Sequence, residues 1–130
     1  MTTHAIETRN ISKHTSPLSH ATIVGPWIYT LGTGGIDYKT GKIVSSDIAE
    51  QTAQSLRNLT DILAACGATL GDVVKANVYL TDINDYQRVN EVYLAHMGTH
   101  RPARCCVGVA TLPAEEKMKI EMIAYLKSKG

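Results

Sequence analysis

The stretch Arg101–Leu126, "RPARCCVGVATLPAEEKMKIEMIAYL", decides the fold. It reads as two strands, roughly Ala103 to Ala110 and Lys117 to Leu126, joined by a loop around Leu112-Pro113. Residues two apart on a strand share a face, so Arg104 and Cys106 point one way while Cys105, Val107 and Val109 point the other. The second strand is apolar on both parities, Met118 and Ile120 opposing Ile123 and Tyr125. A strand of that kind needs cover on both faces of its sheet.

Outward from this stretch, the elements follow in order. "ATIVGPWIYTLG" (Ala21 to Gly32) gives two strands around Gly25-Pro26, and "DYKTGK" (Asp37 to Lys42) is a turn. "GTGG" (Gly32 to Gly35) also reads as a turn, because it lacks the strand-to-helix context of a phosphate loop. From Asp47 the period becomes helical: Thr52, Leu56, Leu59 and Leu63 form a stripe, Asp47 and Glu50 make a capping-box-like start, and Gly67 supplies the stop. Asp72 to Thr81 is a central strand rich in β-branched residues, with Val73 and Tyr79 opposing Val74 and Val78. Tyr86, Val89, Tyr93 and Met97 then mark a second helix that ends at Gly98. The expected order is β-β-α-β-α-β-β, an α+β fold whose mixed sheet carries both helices on one face. Its other face is apolar enough to require burial against further copies of the chain, which predicts a homo-oligomer with sites between subunits.

Composition excludes several classes of function. The 130 residues are read as one domain, 1–130, and 13 basic against 12 acidic residues leave a net charge of +1 with no basic stripe, so no nucleic-acid or membrane partner is expected. No apolar leader or ~18-residue apolar run is present, which predicts a cytoplasmic protein. Cys66, Cys105 and Cys106 form an odd set without a C-x-x-C pair and are expected as free thiols. His4, His14, His20, His96 and His100 lack metal-ligand spacing, so neither a metal nor a cofactor is expected.

Arg104 is the residue that asks for chemistry. A guanidinium among apolar strand positions needs either an internal carboxylate, with Glu121 across a subunit boundary as a candidate, or an anionic ligand. Cys106 shares its face, although a strand cysteine is more often a small buried hydrophobe than a nucleophile. Asn90, next to Val89, is by itself an ordinary solvated or capping residue. Tyr29, Tyr79 and Tyr125 read as core or interface aromatics.

Pro102-Ala103-Arg104, Leu112-Pro113 and Ile120-Glu121, with "SPLSHATIVGPWIYTLGTGGIDYKTGKIV" and "CGATLGDVVKANVYLTDINDYQRVNEVYLAHM" upstream, resemble the Rid (YjgF) family over nearly the whole chain. The resemblance implies a chorismate-mutase-like homotrimer with clefts between subunits and hydrolysis of imines or enamines such as 2-aminoacrylate to 2-oxo acids and ammonia. It assigns Arg104 to the substrate carboxylate and places Cys106, Asn90, Leu18, Leu31 and Gly32 in the cleft. Three positions depart from the family pattern: Leu18 replaces a tyrosine, Leu31 a hydroxyl residue, and Lys119 the acid that handles water. Lys119, expected beside Arg104, then either titrates near neutrality or binds a second carboxylate, as in an aminomuconate-like substrate. Rival readings are a non-catalytic trimer that binds small carboxylates and a ribonuclease or translation inhibitor.

Overall fold

The computed structural model describes the backbone of residues 3–6 and the whole of residues 18–127. His14 and the Ser16-Pro17 part of the segment before Leu18 lie outside the described residues, as does the side chain of His4. The strands are β1 (Thr3–Ile6), β2 (Ala21–Val24), β3 (Trp27–Thr30), β4 (Ile36–Asp37), β5 (Lys42–Ile43), β6 (Val73–Leu80), β7 (Ala103–Gly108) and β8 (Met118–Tyr125). The helices are α1 (Ile48–Ala65) and α2 (Tyr86–Met97). Six strands form one sheet in the order β1-β2-β3-β8-β6-β7. β6 and β7 run parallel through the α2 crossover and the other pairs are antiparallel. The expected order therefore stands, with β1 added at one edge and the β4-β5 hairpin closing the turn at Asp37–Lys42.

The helix α1 forms where its termini say it should. The Asp47 carboxylate accepts a hydrogen bond from the Glu50 N–H at 3.0 Å. At the other end Gly67 takes φ +82°, and the Ala68 and Gly67 amides return to the Leu63 and Ala64 carbonyls, which is the Schellman pattern. Leu56, Leu59, Ile62 and Leu63 of α1 are fully buried, and Val89, Tyr93 and Met97 of α2 are buried. They share one core with Ile28, Ala76, Val78, Leu80, Met118, Ile120, Met122 and Ala124, and each large apolar side chain buried there contributes roughly 1.5–3 kcal/mol.

Two details correct the sequence reading. Val73 does not share a face with Tyr79: the β6–β8 register slips between Val73↔Ala124 and Lys75↔Ile123, and this bulge puts Val73 in the core with Ala76. The "GTGG" segment is not a turn either. Thr33 pairs with Ile120 in both directions, at 2.9 and 3.0 Å, and Thr33, Gly34 and Gly35 are buried. A Cβ on Gly34 would stand 2.5 Å from the Met118 carbonyl oxygen, and one on Gly35 2.5 Å from the Gln51 side chain, so close backbone approach requires glycine at both.

The face of the sheet turned away from the helices exposes Trp27, Tyr29, Val74, Val107 and Tyr125. Trp27 and Tyr125 meet edge to face with ring centroids 4.9 Å apart.

Candidate functional site

β7 is an edge strand, and its register against β6 sets Arg104 beside Ala76 and Cys106 beside Val78, on the helix-covered face. The Arg104 guanidinium reaches α2. Its Nη2 donates to Asn90 Oδ1 at 2.6 Å and to the Tyr86 hydroxyl at 3.4 Å, and it lies 4.8 Å from the ring centre of Tyr93 and 5.6 Å from that of Tyr86. These are neutral acceptors and π faces, which orient a cation without discharging it. Among the described residues no carboxylate lies within ion-pair distance of Arg104. In front of it opens a recess of about 240 Å3 lined by Asn90, Tyr93, Leu94, Arg101, Pro102 and Arg104.

Cys106 is part-buried on the same side. Burial pushes its thiol pKa up, Arg104 pulls it down and Cys105 raises it again, with the net direction upward. That environment favours the protonated thiol over a nucleophilic thiolate.

Within one chain Lys119 stands apart from Arg104. It pairs with Tyr79, whose side chain projects from the face opposite to Ala76 and Val78, so the sheet itself separates the two cations within one chain. Its stem crosses Gly32, where a Cβ would come within 2.9 Å of the Lys119 Cδ. Its Nζ lies 3.2 Å from Glu116 Oε2, with side-chain exposures of 25% and 4%. Glu116 Oε2 has no well-directed hydrogen bond, so the contact is ionic. Burial raises the Glu116 carboxyl pKa, and Lys119 opposes that rise.

Glu121 shares the uncovered face but is already occupied. It accepts hydrogen bonds from the Tyr79 hydroxyl and from Asn77 Nδ2 at 3.3 Å. The first of these is the main reason the Tyr79 pKa rises. Leu18 is exposed, while Leu31 packs partly against the core ahead of Gly32. The structure thus gathers Arg104, Asn90 and Cys106 into one group, and Leu31, Gly32 and Lys119 into another. Tyr86, Tyr93, Arg101 and Glu116 were not singled out as site residues from the sequence. The available clue to the two tyrosines was their spacing of seven residues, two helical turns, which puts both on one face of α2. Glu116 gave none, since "AEEK" reads as a solvated loop.

A family model described as Endoribonuclease L-PSP matches residues 8–126. The chain belongs to this family, also called Rid or YjgF. Similar to this Rid protein is a RutC family protein of Pyrococcus horikoshii, 45% identical over 120 residues, 92% of the chain and 95% of the relative. A human 2-iminobutanoate/2-iminopropanoate deaminase is 41% identical over 108 residues, 83% of the chain and 79% of the relative. Among solved structures, E. coli TdcF with bound serine superposes with TM-score 0.88 at 35% identity, covering 94% of the chain and 98% of TdcF. A putative endoribonuclease of Thermotoga maritima reaches TM-score 0.92 at 42% identity, covering 96% and 98%. The α+β architecture, with two helices on one face of a mixed sheet, is the fold of the Rid family. Among the described residues there is no His/Cys/Asp/Glu group able to hold a metal and no helix long and apolar enough to cross a membrane.

Proposed function

We propose that this Rid protein is an imine or enamine deaminase of small carboxylated substrates, acting in the cytoplasm as a homotrimer of single-domain subunits. The observation that carries the reading is Arg104: a guanidinium held by Asn90 and Tyr93, without a carboxylate partner among the described residues and facing a recess. Such a group takes a substrate carboxylate in a bidentate fork. The human relative's name supports the reaction type, and the serine in TdcF supports a small amino-acid-like ligand. In the reaction water adds to the C=N carbon, a proton reaches the nitrogen, and the carbinolamine collapses to the 2-oxo acid and ammonia.

The two groups of site residues lie on opposite faces of one sheet, so a cleft that uses both needs two subunits. We assign Arg104, Asn90 and Cys106 to one wall. Leu18, Leu31, Gly32 and Lys119 of the neighbouring copy form the other. The exposed aromatic face around Trp27 and Tyr125 supports such association. Lys119 supplies the proton-bearing group in place of the family's acid, with Glu116 as its counter-ion.

The test couples the protein to a dehydratase that generates 2-aminoacrylate and follows ammonia and 2-oxo acid release. Acceleration over the buffer rate that disappears in Arg104→Ala is the expected result, and a rate equal to buffer overturns the proposal. A second reading, a trimer that binds small carboxylates without turnover, is favoured by the neutralisation of Lys119 by Glu116. It predicts saturable binding of 2-oxobutanoate with no ammonia released. A ribonuclease role draws no support from a net charge of +1 spread along the chain.

A further inference from the structure

The recess in front of Arg104 contains a second cation. Arg101 lines the same hollow, and no Asp or Glu does. Its Nη1 donates to the Gly98 and His100 carbonyl oxygens just beyond α2, which holds the guanidinium in place. The remaining Arg101 N–H groups have no partner among the described residues. Tyr93, also on the wall, presents its ring to Arg104, and its buried hydroxyl has no hydrogen-bond partner among the described residues. Burial raises the pKa of that hydroxyl, and Arg104 and Arg101 both oppose the rise.

Two unpaired cations around one hollow repel each other until an anion arrives. A single carboxylate satisfies one fork and leaves the other unmatched. Arg104 follows Arg101 by three positions, so their Cα atoms stand at most about 10–11 Å apart. Their long side chains can therefore converge on an acid of roughly four to six carbons. We infer that Arg101 is a specificity-determining residue and that this recess takes a small dicarboxylate, one acid group on Arg104 and the other on Arg101. The inference rests on the reading of Arg104 as a carboxylate clamp, and it moves the second acid contact from Lys119 to the helix-covered side of the sheet.

Calorimetric titration with glutarate and butanoate tests it without requiring turnover. The wild type is expected to bind glutarate at least about ten-fold more tightly than butanoate. Arg101→Ala should erase that difference while leaving butanoate unchanged. Arg101→Gln, which retains N–H donors for the carbonyls beyond α2, should behave as Arg101→Ala does, and the opposite result, glutarate preference retained in Arg101→Gln, would assign Arg101 to helix capping alone and overturn the inference. Equal affinity of the wild type for the two acids also overturns it while sparing the clamp. Failure to bind either acid, or binding that survives Arg104→Ala, removes the clamp and the inference together.

Discussion

Arg104 and Lys119 are cations on strands of the same sheet, and the chain treats them in opposite ways. Arg104 is oriented by an amide oxygen and two tyrosine rings, none of which carries charge. Lys119 is paired with a buried carboxylate 3.2 Å away. A buried or half-buried charge without a counter-ion costs stability, so a fold keeps one where something from outside completes it. The same argument makes Lys119 the weaker ligand-binding candidate, because its counter-ion is built in.

Breaking the Arg104 side should have the largest effect on function and little on stability. Arg104→Ala is expected to lower kcat/KM for a carboxylated imine by about 100-fold, the loss of charge-assisted hydrogen bonds worth roughly 1.5–3 kcal/mol. Its melting temperature should stay close to wild type, because no carboxylate is orphaned. A coincident collapse of melting temperature would show that Arg104 is structural.

Breaking the Lys119 side should differ by costing stability as well as the proton-bearing group. Lys119→Ala leaves Glu116 buried and unpaired, and a loss of about 1–3 kcal/mol is expected in urea unfolding, below the cost of breaking a fully buried pair because Lys119 is a quarter exposed. The Glu116 carboxyl has a pKa raised above 4.5 in the folded protein. Between 4.5 and that raised value the folded state holds more proton than the unfolded chain, so its contribution to stability declines as pH rises through this window. Glu116→Gln should abolish that component of the pH–stability curve, and an unchanged curve would contradict the burial of the carboxylate. Lys119→Glu should destabilise strongly by setting two carboxylates together, and adding Glu116→Gln should restore most of the loss.

Smaller effects sharpen the comparison. Asn90→Ala removes the 2.6 Å acceptor that aims Arg104 and is expected to raise KM about ten-fold with a smaller change in kcat. Cys106→Ala should change kcat/KM by less than about three-fold, because burial and Cys105 keep the thiol protonated. A loss as large as that of Arg104→Ala would instead make the thiol a reacting group.

Periodicity revealed α1, α2 and the long strands, since the apolar stripe of Leu56, Leu59 and Leu63 and the glycine at position 67 state their geometry locally. Strand alternation also put Arg104 and Cys106 on one face. It could not phase β7 against β8, so the separation of Arg104 from Lys119 emerged only from the register both strands share with β6. β1 is four residues with polar flanks and takes its place from pairing with β2. The bulge at Val74 left no mark, because Val73 and Val74 are identical. Glu116 was hidden for a tertiary reason: its burial depends on the missing side chain of Gly34, more than eighty residues away along the chain.

Trp27 is the only tryptophan in the protein, and it stands on the uncovered face against Tyr125. The molecule therefore carries an optical reporter on the surface through which subunits are proposed to meet. Its emission should shift to longer wavelength on dilution, as water reaches the indole, and that shift can be followed separately from any reaction at Arg104.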